Sequence, residues 1–210
     1  MLDVCFALLA AAAPPPASVP SAPPARRVEQ VVTSTDLPKI AVRVDEAFAF
    51  LGRVEGTAMD GRAKTEQFFF ADTGDGRIHR MVIVHFEGAV PGADLRFRYP
   101  RLRMESLGGE EYLHQSFPEE DWDLFASPAV AALFTGRKIE LPRRWLVDRY
   151  VRAVDAELRH EVILFYLEPA GDLPAPVDDL RLAGKSRALW EPIDRDLARR
   201  ARQAFEVVPP

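Results

Sequence analysis

EQFFFADTGDGRIHRMVIVHFEG, residues 66–88, is the stretch that decides the fold. A β-rich run ends at Phe70, a Gly/Asp segment occupies 72–76, and a second β-rich run covers 78–86. Two such runs around residues that tolerate positive φ read as a β-hairpin. Pairing Asp72 with Arg77 sets Phe70 opposite His79 and Phe68 opposite Met81, a register with one continuous apolar face. The turn segment has some of the composition of a calcium loop. It lacks the later Glu and the helical flanks of an EF-hand, so a tight turn is the expected role.

Outward from the hairpin, Ile40, Val42, Val44, Phe48, Phe50 and Val54 alternate with polar positions, the period of one long or two short half-buried strands. Leu95, Phe97 and Tyr99 alternate with Arg96 and Arg98 and predict a strand with a basic outer face. Pro100 interrupts that strand, and Leu102 and Met104 resume on the other parity. Two helix starts follow. Ser116 with Pro118, Glu119 and Glu120 resembles one; Ser127-Pro128, stopped by Gly136, is the other. Residues 145–168 read as a second hairpin. Its strand HEVILFYLE, 160–168, weakly echoes HRMVIVHFE, 79–87, at an offset of 81 residues. A closing helix is expected over about 192–206, with Trp190, Ile193, Leu197, Ala201 and Ala204 on one stripe and Arg195, Arg199 and Arg202 on the solvated side. The sum is an α+β domain: an antiparallel sheet of two hairpins plus further strands, short central helices and a C-terminal amphipathic helix packed on it.

The N-terminus carries VCFALLAAAA at 4–13, the length of a signal-peptide core and too short to span a bilayer. The expected organisation is a signal peptide over 1–12, a Pro/Ala-rich disordered linker over 13–34 and one domain over 35–208. That arrangement predicts a bacterial periplasmic or secreted protein, with a cytoplasmic protein carrying a disordered tail as the alternative. Net charge is −5, which argues against a nucleic-acid partner. Lysine occurs only at Lys39, Lys64, Lys138 and Lys185, asparagine not at all, and arginine is abundant, a balance that follows from GC-rich coding. Cys5 is the only cysteine, so the body has no thiol to form a disulfide, ligate zinc or act as nucleophile.

No nucleophile elbow, phosphate loop, dinucleotide fingerprint or helical zinc motif is present, and no cofactor or metal is expected. His79 and His85 share one strand face about 20 Å apart, too far for a common metal. His85 and Glu87 stand about 6.6 Å apart on that face and form the candidate acid–base pair, with His160 and Glu161 as the alternative. Candidate binding residues are Phe68, Phe70, His79, His85, Arg96, Arg98 and Tyr166. Together these features point to a non-enzymatic exported domain that binds a small apolar or amphipathic ligand or an envelope partner. A small hydrolase or isomerase built on a His/Glu pair and a structural envelope protein are the alternatives.

Overall fold

The computed structural model describes residues 26–99, 102–181 and 183–209. The expected signal peptide and most of the expected linker lie outside these residues. Strands β4 (Ala49–Ala58), β5 (Ala63–Gly74), β6 (Arg77–Ala89), β7 (Arg103–Leu107), β8 (Glu110–Glu120), β9 (Arg144–Ala153) and β10 (His160–Pro169) form a seven-stranded sheet in the order β4-β5-β6-β10-β9-β8-β7. All of its neighbours run antiparallel. A second sheet, in the order β1-β2-β3-β11, joins β1 (Arg26–Val28), β2 (Val31–Ser34) and β3 (Ile40–Val44) to β11 (Phe205–Val208). The helices are α1 (Pro128–Thr135), α2 (Val177–Leu180) and α3 (Glu191–Ala204). Among the described residues no helix is long and apolar enough to cross a membrane. The expected α+β class with an antiparallel sheet is therefore the observed one.

Phe68, Phe69 and Phe70 are all 0% exposed. Successive strand residues point to opposite faces, so three buried in a row require cover on both sides of the sheet. Even-numbered residues supply one face. Phe68, Phe70, Val82, Val84, Tyr150, Leu164 and Tyr166 pack on the small sheet and on Trp190, Leu197 and Ala201 of the C-terminal segment. Odd-numbered residues supply the other face. Phe69, Met81, Ile83, Val147, Ile163 and Phe165 pack beneath Val130 and Phe134 of α1 and beside a 3₁₀ turn at Asp123–Ala126. Ser127 precedes Pro128 at the start of α1, and Gly136 ends it. These are the boundaries that the Ser-Pro and Gly signals predict.

Several expectations are corrected. The first hairpin turns through Asp75 and Gly76 alone, both at positive φ (52° and 72°), so Gly74 pairs with Arg77 and Asp72 with Arg80. Phe70 therefore faces Val82 and Phe68 faces Val84, not His79 and Met81. That is a three-residue slip, and an odd slip moves every side chain to the other face. Residues 95–99 are not a strand, although Leu95 and Phe97 are buried and Arg96 and Arg98 exposed as the alternation implies. Ser116 to Glu120 starts no helix; it is the end of β8, whose alternating burial serves a sheet. Residues 26–34, assigned to the linker by composition, form β1 and β2, with Val32 and Ser34 buried. The last helix stops at Ala204, and the chain continues as β11.

Candidate functional site

Pairing across β5, β6, β10 and β9 sets odd-numbered side chains of four strands in rows on one face. Gln67, His85, Ile163 and Val151 make one row, and Thr65, Glu87, Glu161 and Ala153 the next. The extended segment 90–99 crosses nearby. It is pinned where Phe97 N donates to Leu158 O at 2.7 Å and where the Arg159 guanidinium donates to Val90 O and Ala93 O at 3.0 and 2.9 Å. This brings the Tyr99 hydroxyl to Glu161, 2.7 and 2.8 Å from the two carboxylate oxygens. Gln67 Nε2 lies 3.1 Å from His85 Nδ1, and His85 Nε2 lies 2.9 Å from Glu87 Oε1. With Gln67 donating, the ring proton sits on Nε2, toward Glu87. The Arg149 guanidinium lies over the Tyr99 and Phe117 rings, 5.6 Å from each centroid, and donates to Gln115 at 2.8 Å.

These groups line a cleft of about 490 Å³ between the sheet and the start of α1. Val54, Trp122, Leu124, Val130, Ile163 and Phe165 supply its apolar wall. Burial, reinforced by neighbouring Glu87, pushes the Glu161 carboxyl up to about 7 against the opposing pull of the Tyr99 hydrogen bond and Arg149. Burial and then Glu161 push the Tyr99 phenol up, so it stays a donor. Burial lowers the Arg149 guanidinium, offset by Tyr99 and Glu161. Glu87 Oε2 and Arg149 Nε are buried with no hydrogen-bond partner among the described residues, and the buried His85 Nε2 has only its 2.9 Å contact to Glu87 Oε1. Buried polar atoms are normally satisfied, so under-satisfied atoms gathered in one cleft mark a place where polar atoms from outside the chain can bind.

The structure brings the predicted pair His85 and Glu87 together and adds Glu161 to it. It separates His160 from Glu161, because adjacent strand residues face opposite ways. His160 bonds Asp155 at 2.6 Å and lines a different cavity of about 520 Å³ with Lys64, Glu66 and Phe86. Phe68, Phe70 and Tyr166, expected to line a pocket, are instead 0% exposed on the even face, inside the main core. His79, Arg96 and Arg98 are exposed and outside the cleft. Tyr99, Arg149, Gln67 and Trp122 are site residues that the sequence did not disclose. The proximity of Gln67 and Arg149 depends on the β5–β6, β6–β10 and β9–β10 pairings, and that of Tyr99 and Trp122 on where their connecting segments cross the sheet. Donors close enough together for a metal ion occur elsewhere among the described residues, at His114, Asp148 and Asp194. No protein-family model matches the chain, and no curated protein or solved structure matches it.

Proposed function

We propose that the protein binds an amphipathic small molecule in this cleft, without transforming it, and that it works outside the cytosol. One observation carries the binding reading: a single cavity combines an aromatic and aliphatic wall with a cluster of buried, incompletely hydrogen-bonded polar groups. Apolar burial against Trp122, Ile163 and Phe165 supplies affinity, and His85, Glu87 and Arg149 orient a polar head group. The apolar run at 4–13 and the proline-rich stretch after it support the location. Native mass spectrometry of the protein isolated from its own host, followed by titration of delipidated protein with alkyl probes bearing amine, hydroxyl or carboxylate heads, tests the reading. Saturable change in Trp122 emission, weakened in Glu87→Gln, is expected. Ligand-free isolates together with non-saturating titrations of every probe would refute it. Fractionation with N-terminal sequencing tests the location, and cytosolic material retaining Met1 rules it out.

A second reading, acid–base turnover of the bound molecule, is favoured by one feature. Glu161 titrates near neutrality beside the Tyr99 hydroxyl, with His85 and Glu87 alongside, as a general acid or base must. Incubating the co-purified molecule with wild type and with Glu161→Gln separates the two. Conversion by wild type alone establishes turnover, and an unchanged molecule in both leaves binding as the activity.

A further inference from the structure

On the opposite face of the sheet, His114 of β8 and Asp148 of β9 lie beneath Asp194 in the first turn of α3. One donor atom from each lies within 4.8 Å of the others. His114 Nε2 is 2.6 Å from Asp148 Oδ1. Asp148 is 0% exposed and His114 3%, and Asp148 Oδ2 and the neighbouring Tyr150 hydroxyl both lack a hydrogen bond of good geometry among the described residues. Asp194 is held in place by Ser116, whose hydroxyl donates to Asp194 Oδ1 and accepts the Trp190 indole N–H at 2.7 Å. The His114 ring packs against Tyr150 at a 32° tilt, with centroids 4.6 Å apart.

We propose that His114, Asp148 and Asp194 bind a divalent first-row transition ion, with zinc the reference case. The charge balance supports this. Arg103 Nη2 lies 2.6 Å from His114 Nδ1, so that nitrogen accepts and the imidazole is neutral, its proton on Nε2 toward Asp148. The buried Asp148 carboxylate therefore has a neutral imidazole beside it, while Arg103 reaches Asp194 at 3.8 Å, and a buried charge is stable only when paired or metal-bound. One imidazole nitrogen and two carboxylate oxygens are a common donor set for zinc or manganese. Donors about 2.1 Å from a tetrahedral ion stand roughly 3.4 Å apart, between the 2.6 Å contact and the 4.8 Å limit seen here. A cavity of about 230 Å³ lined by His114, Ser116, Asp194, Arg103 and Arg187 gives the ion a route in and leaves one position open. Loading moves the His114 proton from Nε2 to Nδ1, which displaces Arg103. That side chain is half-exposed and already 3.1 Å from Glu105, so it has somewhere to go.

Arg103 thus competes with the metal, which gives the proposal a distinctive test. Untagged full-length protein, stripped with chelator, is titrated with Zn(II) by calorimetry and with Co(II) by visible absorption. One equivalent should bind. Asp194→Asn, at a partly exposed position and checked for folding by circular dichroism, should lose at least about tenfold in affinity. Arg103→Ala should bind several-fold more tightly. Failure of folded wild type to bind stoichiometrically overturns the proposal. So does binding that Asp194→Asn leaves unchanged, or that Arg103→Ala weakens. None of these outcomes bears on the cleft on the other face.

Discussion

Replacing Glu161 by Gln should make the protein relatively more stable as pH rises. A carboxyl that titrates at about 7 in the fold but at 4.5 when free is held protonated by its surroundings, and ionising it there costs about 3 kcal/mol. Below the free value both states carry the proton, so there is no penalty. Between 4.5 and 7 the unfolded chain releases its proton while the folded chain keeps it, and stability falls with rising pH. Above 7 the full loss is present. Gln cannot ionise, so the variant escapes the loss, and its carbonyl still accepts from Tyr99. About 2.5 kcal/mol of the change falls between pH 5 and pH 8. Urea unfolding of both proteins at those two values measures it. Any constant cost of the substitution cancels, because the quantity read is the change in the stability difference. A difference that is the same at both values would falsify the assignment of a buried, reluctant carboxyl at this position.

Phe68→Ala should cost about 3–5 kcal/mol in chemical denaturation, since the ring is 0% exposed and sits edge-on to Phe86 at 6.1 Å. A loss under about 1 kcal/mol would mean that this face is not core. Trp190→Phe should cost about 1–3 kcal/mol, because it removes the indole N–H that bonds the Ser116 hydroxyl at 2.7 Å; combined with Ser116→Ala it should cost less than the sum of the two single changes, the remaining loss being the Ser116 bond to Asp194. Gly108→Ala should lower the melting temperature clearly more than Gly109→Ala. Both residues have positive φ (61° and 84°), but a Cβ at 108 would meet the Val207 carbonyl oxygen at 2.6 Å, whereas at 109 it meets open space.

The hairpins were legible because their signals are local. The runs 66–70 and 78–86 need only a turn between them, and 145–168 shows the same pattern. Register was not legible, because it depends on which two residues of the Gly/Asp segment make the turn and on the irregularity between Asp72 and Thr73. The end of β8 is masked because Ser-Phe-Pro-Glu-Glu, residues 116–120, also resembles a helix start. His85 and Glu87 could be placed side by side from strand geometry alone, since both belong to β6. Glu161 could join them only through the β6–β10 pairing, which spans more than 70 residues of chain. The echo between 79–87 and 160–168 has a physical explanation too. The offset of 81 equates Val82 with Ile163, which face opposite sides of the sheet. The likeness reflects two strands buried on both faces rather than equivalent positions. At the level of topology, β4-β5-β6 and β8-β9-β10 are two meanders joined through β6 and β10.

The small sheet takes three strands from residues 26–44 and its fourth from 205–208, which pairs along β3 from Val44 to Ala41. β11 is made more than 160 residues after β3, and until it arrives Val42 and Val44 lack one neighbour and early-made β3 presents a bare ladder of amides and carbonyls along that edge. The small sheet cannot close up behind the growing chain. It waits for residues 205–208, and for that interval its unfinished edge stays open to pairing with a foreign strand.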